Sequence, residues 1–408
     1  MKSLILSVSS VLLLAMQVNA QQQPSVTVNV NPKTSSTVTS SYSYTVNDVK
    51  NSVNVRYNDN ANSQDVQDDT PMKTKSFTKA FSIDKSDKIN LSNQFGSITI
   101  KTWDKNEIKV DADIKAYAKT EDEAQKLLDD VSINATKSGD LVSYKTEMGE
   151  RNGNWGSSMK NGKTIWRREV KVHYTVYMPA GNSLTASQQY GNILIGDFSG
   201  PTSIKVQYGN FTAGELNNVN NYVNVQYGAA NIKEANTLKV KHQYGSGVTI
   251  GTVGTLDIDV QYAAVNVTTI KGSAVVKHQY GRGITIGSVG NLSANAQYST
   301  VKVGTLRGNL TSKQQYGKLI VDEVEGSKNI EVDAQYTDVD LGLGGYNGDL
   351  DVETSYGNFK YGSNVSVKRE GGDDERRYSQ NKKYTGQVGK GGTARISVNT
   401  QYGSVTFK

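Results

Sequence analysis

From residue 181 onward, apolar and polar residues alternate in short runs, and the runs repeat. In "LDIDVQY", Leu256, Ile258 and Val260 alternate with Asp257 and Asp259 and lead into Gln261-Tyr262. The same approach to a tyrosine recurs at 190, 208, 227, 244, 262, 280, 298, 316, 336 and 356, at steps of 17 to 20 residues. A last copy stands at Gln401-Tyr402-Gly403, and an early relative, Gln94-Phe95-Gly96, carries phenylalanine instead. Apolar residues return three positions after the tyrosine (Ile193, Phe211, Val265, Val301), five after (Ile195, Ile232, Val267, Val303) and eight after (Phe198, Leu216, Ile270, Leu306). The spacing within each run is two, which predicts strands. After Tyr244 and Tyr280 the chain reads Gly-Ser-Gly and Gly-Arg-Gly, and the apolar pair arrives one residue late while the next tyrosine is on time. That pattern predicts a bulge at a corner.

One 18-residue copy cannot fold alone. About five inward apolar side chains at roughly 1.5–3 kcal/mol each give on the order of 7–15 kcal/mol. Ordering the copy costs about 27 kcal/mol at roughly 1.5 kcal/mol per residue. Each copy must therefore share its backbone hydrogen bonds and apolar face with its neighbours. Parallel coils stacked about 4.8 Å apart achieve both, and a contour near 60 Å encloses a narrow side-chain core. The expected fold is all-β, a parallel β-solenoid (β-helix) with coils of about 18 residues. Two positions before each glutamine stand Lys205, Asn224, Lys241, Asp259, Lys277, Asn295, Lys313 and Asp333. Stacking one copy per rung would place each lysine between non-basic neighbours.

By parity the tyrosine shares the face of Ile258 and Val260. Tyr208, Tyr227, Tyr244, Tyr262, Tyr280, Tyr298 and Tyr316 are expected to form a stacked aromatic ladder lining a corner of the core. Gln207, Gln226, Gln243, Gln261, Gln279, Gln297 and Gln315 would form an amide ladder on the outer edge, and the following glycine would turn the chain. The functional alternative is an exposed tyrosine stripe that binds sugar rings.

The preceding region differs. Residues 76–180 read as a β-rich capping region, with one helix over 121–130 that opens on a capping box of Thr120 and Glu123 and has Ala124, Leu127 and Leu128 as its apolar face. The polar "GERNGNWGSSMKNGKTI" reads as a hairpin tip or loop, and a charged insertion interrupts the repeats (181–408) at about 364–394. Residues 21–75 are polar and read as a disordered spacer. Residues 1–20 read as a signal peptide, with Lys2, the apolar Leu4–Met16 and the small-residue site Val18-Asn19-Ala20. No later segment is long and apolar enough for a membrane helix.

Composition narrows function by exclusion. There is no cysteine, hence no disulfide and no thiolate metal site. The net charge of +6 mixes 45 basic with 39 acidic residues, which argues against nucleic acid as a partner. His242 and His278 hold equivalent places two copies apart with no converging ligands, and they and His173 read as packing residues. No nucleophile elbow or phosphate-binding loop exists. "GGYNGDLDV" is a poor match to a calcium-binding nonapeptide, with Asn347 where glycine should stand. Asp257 with Asp259, and Asp333 with Asp338 and Asp340, are candidate acid pairs, but their separation cannot be read from sequence. No cofactor is implied. The interaction candidates are Trp155, Trp166, Arg167 and Arg168 in one insertion and Arg376, Arg377 and Tyr378 in the other, since aromatic plus arginine is contact chemistry. The plainer reading of both is a solvated loop.

The stretch "INLSNQFGSITIKTWDKNEIKVDADI", with Gly96, Trp103 and the strand from Ile108, followed by "EAQKLLDDVSI" and repeated short strands, resembles the bacterial putative-adhesin family of exported proteins. That family is related to the auto-transporter adhesin head GIN domain. The resemblance spans Ser76 to Lys408. It implies a right-handed β-solenoid in the envelope of a Gram-negative bacterium and carries no binding residues over. The expectation is an exported, non-enzymatic solenoid with an adhesive or structural role toward an envelope protein or glycan. The alternatives are a polysaccharide-binding or polysaccharide-cleaving β-helix, and a periplasmic partner in envelope-stress signalling.

Overall fold

The computed structural model describes residues 68–408 apart from 151–153, 161–162, 327–328 and 371–380, together with two short paired strands, Ser43–Tyr44 and Val55–Arg56. The described chain is all-β with a single helix, Glu121–Asp129. Thr120 caps that helix by accepting the Glu123 N–H at 3.2 Å, and Ala124, Leu127 and Leu128 are its buried residues. The helix lies within one residue of its expected span.

Like positions of successive copies pair in parallel. Leu184–Gln189 lies against Thr202–Gln207, which lies against Asn221–Gln226. Beyond the tyrosine, Ile193–Ile195 pairs with Phe211–Ala213. The apolar columns close on one another: Ile258, Val260, Val265, Val267 and Ile270 are all buried, like their equivalents in neighbouring copies. At the Gly-Ser-Gly and Gly-Arg-Gly copies, Val248 faces Val265 and Ala264 faces Gly283, and the register recovers before the following tyrosine. The extra residue enters after the tyrosine, and the register is restored between Val253 and Leu256 and between Ile270 and Ser273. On the outer face Asp259 pairs with Lys277, Lys277 with Asn295, Asn295 with Lys313, and Lys313 with Asp333, so no two lysines of that run adjoin.

Both ends of the parallel stack finish in antiparallel strands. At the first end, Lys88–Thr102 pairs with Ser183–Ile195 on one side and with Leu141–Met148 and Lys163–Met178 on the other. Glu107–Tyr117 then runs antiparallel to Lys163–Met178, and Met72–Ser82 antiparallel to Glu107–Tyr117. Met72–Ser82 is the first strand of this cap among the described residues, and Asp68 is bonded to Arg167. At the other end, Asn381–Val388 runs antiparallel on Gly348–Ser355, and Val365–Glu370 on Asn381–Val388. The expected insertion at 364–394 is in part this cap. Its outermost strand carries Lys368, Arg369 and Glu370, and the outermost strand at the first end carries Lys73, Lys75 and Lys79. Charged outer strands resist pairing with a further chain.

Sequence order and stacking order part company near the C-terminus. Arg395–Gln401 inserts between Asn329–Leu341 and Gly348–Ser355, pairing in parallel with both. The last copy is therefore the penultimate rung, and the expectation that each copy rests on its sequence neighbours fails at that point. Repeats with the same pattern are interchangeable partners, and only the caps decide which one closes the stack.

Candidate functional site: an exposed aromatic column

The Gln-Tyr corner produces one continuous surface feature. Phe95, Tyr190, Tyr208, Tyr227, Tyr244, Tyr262, Tyr280, Tyr298, Tyr316, Tyr336, Tyr402 and Tyr356 stack in that order, ring on ring. Centroid separations run from 4.6 to 5.4 Å and interplanar angles from 4° to 15°. The eleven tyrosines are each 42–52 % exposed. This corrects the expected position of the ladder, which lies outside the core.

The reason is local backbone geometry. Every ring of the column sits on a residue with positive φ, between +49° and +58°. This left-handed conformation is uncommon for a side chain of that size and costs of order 1–2 kcal/mol. One such residue interrupts the two-residue alternation, so the tyrosine no longer shares the face of Val260. The turn belongs to the tyrosine and not, as expected, to the glycine after it. Glycine is needed for a different reason: a Cβ at Gly209 would lie 1.9 Å from the Gly191 carbonyl oxygen, and one at Gly228 would lie 1.7 Å from that of Gly209. The backbone stays bonded through the turn, for Tyr208, Tyr262, Tyr280 and Tyr298 donate their N–H groups to the glutamine carbonyls of the next rung at 2.9–3.1 Å. The glutamines run alongside as an amide ladder: Gln226 to Gln243, Gln243 to Gln261, Gln261 to Gln279 and Gln279 to Gln297, at 3.1–3.4 Å.

Immediately inside this corner, two residues before each ring, runs a buried column of mixed identity. At Val206, Val225 and Val260 it is apolar. At His242 and His278 the ring Nε2–H donates to the carbonyls of Gly228 and Ala263, at 3.0 and 2.9 Å. Each accepting carbonyl belongs to the residue just after a tyrosine, one rung away. Asn93 donates to the Val172 carbonyl (2.8 Å) and to Gln188 Oε1 (3.0 Å), while Thr146 donates to Asn93 Oδ1 (2.7 Å). With its own proton so used, Thr146 accepts from the Tyr174 hydroxyl at 2.7 Å. Burial pushes both histidines below their ordinary pKa, and Nδ1 of each has no hydrogen-bond partner among the described residues. They are neutral packing groups. Among the described residues no three of His, Cys, Asp and Glu gather as metal ligands.

The other candidates scatter. Arg167 is largely buried, bonded to Asp68 and Glu169 and lying 3.3 Å over the Tyr117 ring. Arg168 lies over Trp155, itself packed against the core, and Trp166 is half-buried on the strand Lys163–Met178. The expected contact cluster at Trp155, Trp166, Arg167 and Arg168 is therefore mostly absorbed in fastening a hairpin to the cap. Arg376, Arg377 and Tyr378 lie outside the described residues. The candidate acids are engaged singly: Asp257 with Lys239, Asp340 with Lys318 and Lys408, and Asp338 accepting the Ser404 N–H. Asn347 accepts the Lys390 N–H, which makes it a turn residue of the second cap. No helix among the described residues is long and apolar enough to cross a membrane.

No family model matches the chain, and no curated protein does. Solved structures that resemble it include a putative cell adhesion protein from Clostridium sporogenes, at 11 % identity over 82 % of this chain and 99 % of that one, with a TM-score of 0.17. Two putative adhesins, from Parabacteroides merdae and Parabacteroides distasonis, share 13 % and 15 % identity over 65 % and 64 % of this chain. They are covered over 96 % and 97 % of their own length, with TM-scores of 0.31 and 0.29. Likeness at this level assigns no function, and the resemblance to the adhesin head domain rests on the residues quoted for it.

Proposed function

We propose that this chain is an exported, non-enzymatic β-solenoid of right-handed winding, with an adhesive or structural role in the cell envelope of a Gram-negative bacterium. The observation that carries the reading is the aromatic column: one exposed side-chain type held at one spacing through all but the first rung of a stack capped at both ends. Such a surface suits contact with an extended partner. Two features weigh against a catalytic role. Asp257 and Asp340 are paired with lysines of adjacent rungs and Asp338 accepts a backbone N–H, and the groove between Asp349, Asp351, Lys368 and Arg395 is an open hollow on the C-terminal cap. Polysaccharide binding is the second reading, favoured by exposed tyrosine, but sugar rings pack on open aromatic faces and these faces are covered by their neighbours. Protease shaving of intact cells tests the proposal. Loss of the protein from the surface is expected; full protection would overturn the adhesive role and leave a periplasmic one.

A further inference from the structure

We infer that the aromatic column is a self-association surface, and that its occupant is the aromatic column of a second copy of this chain. The inference goes beyond an adhesive or structural role and does not depend on where the protein resides.

Area comes first. Tyrosine side chains present about 150–250 Å² each, so eleven of them at roughly half exposure leave on the order of 1,000 Å² of phenol surface in one stripe. Soluble monomers rarely expose contiguous patches beyond a few hundred Å², and a stable interface takes about 800 Å² from each partner.

Pitch selects the partner. A molecule that touches every ring must repeat every 4.6–5.4 Å along the stack. A second copy meets that condition by construction, at every rung. Ring faces are already occupied by neighbouring rings within 15° of parallel, so only edges and hydroxyl groups are on offer. Those suit edge-on contact with other phenols and not face-stacking of a sugar.

Charge permits the pairing. Across a two-fold axis a surface meets itself, so a charged stripe would repel its copy. The rings and the glutamine ladder on one side carry no charge; on the other, two residues past the rings, Asn192, Asn210, Ala229, Ser246 and Ala264 are uncharged, while Arg282, Lys318 and Asp338 place two basic groups and one acid on the later rungs. Two stripes related by a two-fold axis perpendicular to the stack run antiparallel, edge to edge.

Sedimentation of the purified full chain tests this. The unaltered protein is expected to dimerise in the micromolar range. Replacing three central rings (Tyr244→Asn, Tyr262→Asn and Tyr280→Asn together) should weaken the dimer about a hundredfold or more, interface tyrosines being among the costliest residues to remove. Asparagine is chosen because it tolerates positive φ, and circular dichroism checks the fold. The combined Tyr→Phe variant keeps the rings and should stay within about tenfold of the parent. Thr249→Ala with Asn266→Ala and Thr285→Ala, all exposed on the neighbouring face, should change nothing. Should the asparagine variant not fold, photo-oxidative tyrosine cross-linking of the parent dimer decides, because inter-chain links must map to stripe peptides. A chain monomeric to about 100 µM, a dimer indifferent to the three substitutions, links that map elsewhere, or a stripe that binds an oligosaccharide while the protein stays monomeric would each overturn the inference.

Discussion

Two columns run side by side at the Gln-Tyr corner and obey opposite rules. The outer one is exposed yet nearly invariant from rung to rung, tyrosine throughout except for Phe95. The inner one, two residues earlier, is buried yet holds valine, alanine, histidine, glutamine, asparagine and threonine. Burial usually restricts identity more than exposure does. Here the restriction comes from what touches the next rung. Each ring rests on the ring before it, and an offset-stacked aromatic pair contributes about 0.5–1.5 kcal/mol beyond area, enough for two neighbours to offset the cost of positive φ. An aliphatic side chain would lose both contacts and keep the strain. The inner position needs only volume, or a donor for the carbonyl one rung away, and several residues provide one or the other.

That account can be broken where the effects are largest. Ile258→Ala, in the ordinary core, should destabilise by about 2–5 kcal/mol, as buried aliphatic truncations do. Tyr262→Asn should cost less, roughly 1–2 kcal/mol, because two stacking contacts are lost while a residue easier to hold at positive φ replaces the ring. Denaturant unfolding of both variants gives the comparison. A tyrosine variant as damaging as the isoleucine one would mean the column supports the core directly. Gly228→Ala should fall between them, at about 1–3 kcal/mol, because its Cβ meets the Gly209 carbonyl and the strand must shift.

The histidines sharpen the inner half of the comparison. His278 and His242 are neutral and buried, their folded pKa values depressed by desolvation. A depressed folded pKa means the unfolded chain binds the proton first. The stability the neutral rings contribute is thus fully present above about pH 6.5, the unfolded value, and is lost as pH falls through and below it. Replacing both by valine, the residue of the 206, 225 and 260 rungs, should flatten the dependence of stability on pH between about 7.5 and 5. Equal slopes for parent and variant would show that the rings titrate freely.

How much of this was legible? Strands, repeat length, the corner bulge, the capped helix and the alternating lysine column all follow from spacing and residue type. The face of the tyrosines was misread because the alternation was carried unbroken through the corner. Yet the signal was there. Apolar residues stand two and four positions before the tyrosine but three and five after it, and that one-step slip requires a residue at the corner to leave the strand conformation. Nothing comparable marks the C-terminal rung order, because the strand Arg395–Gln401 has the same pattern as any other copy and its place depends on the antiparallel cap beside it. The role of Arg167 was equally hidden, since Asp68 and Tyr117, which hold it, are distant in sequence.

The outer face offers the smallest test and the cleanest control. Lys277 sits between Asp259 and Asn295, one rung from each. In Lys277→Asp, a carboxylate would stand directly beside that of Asp259 on a solvated strand, where like charges repel weakly and salt screens them. Thermal unfolding at low ionic strength should show a modest loss, below that of any substitution above, and added salt should remove most of it. A loss that persists in high salt would mean the lysine acts through its aliphatic stem packed on the sheet, and not through its place in an alternating column.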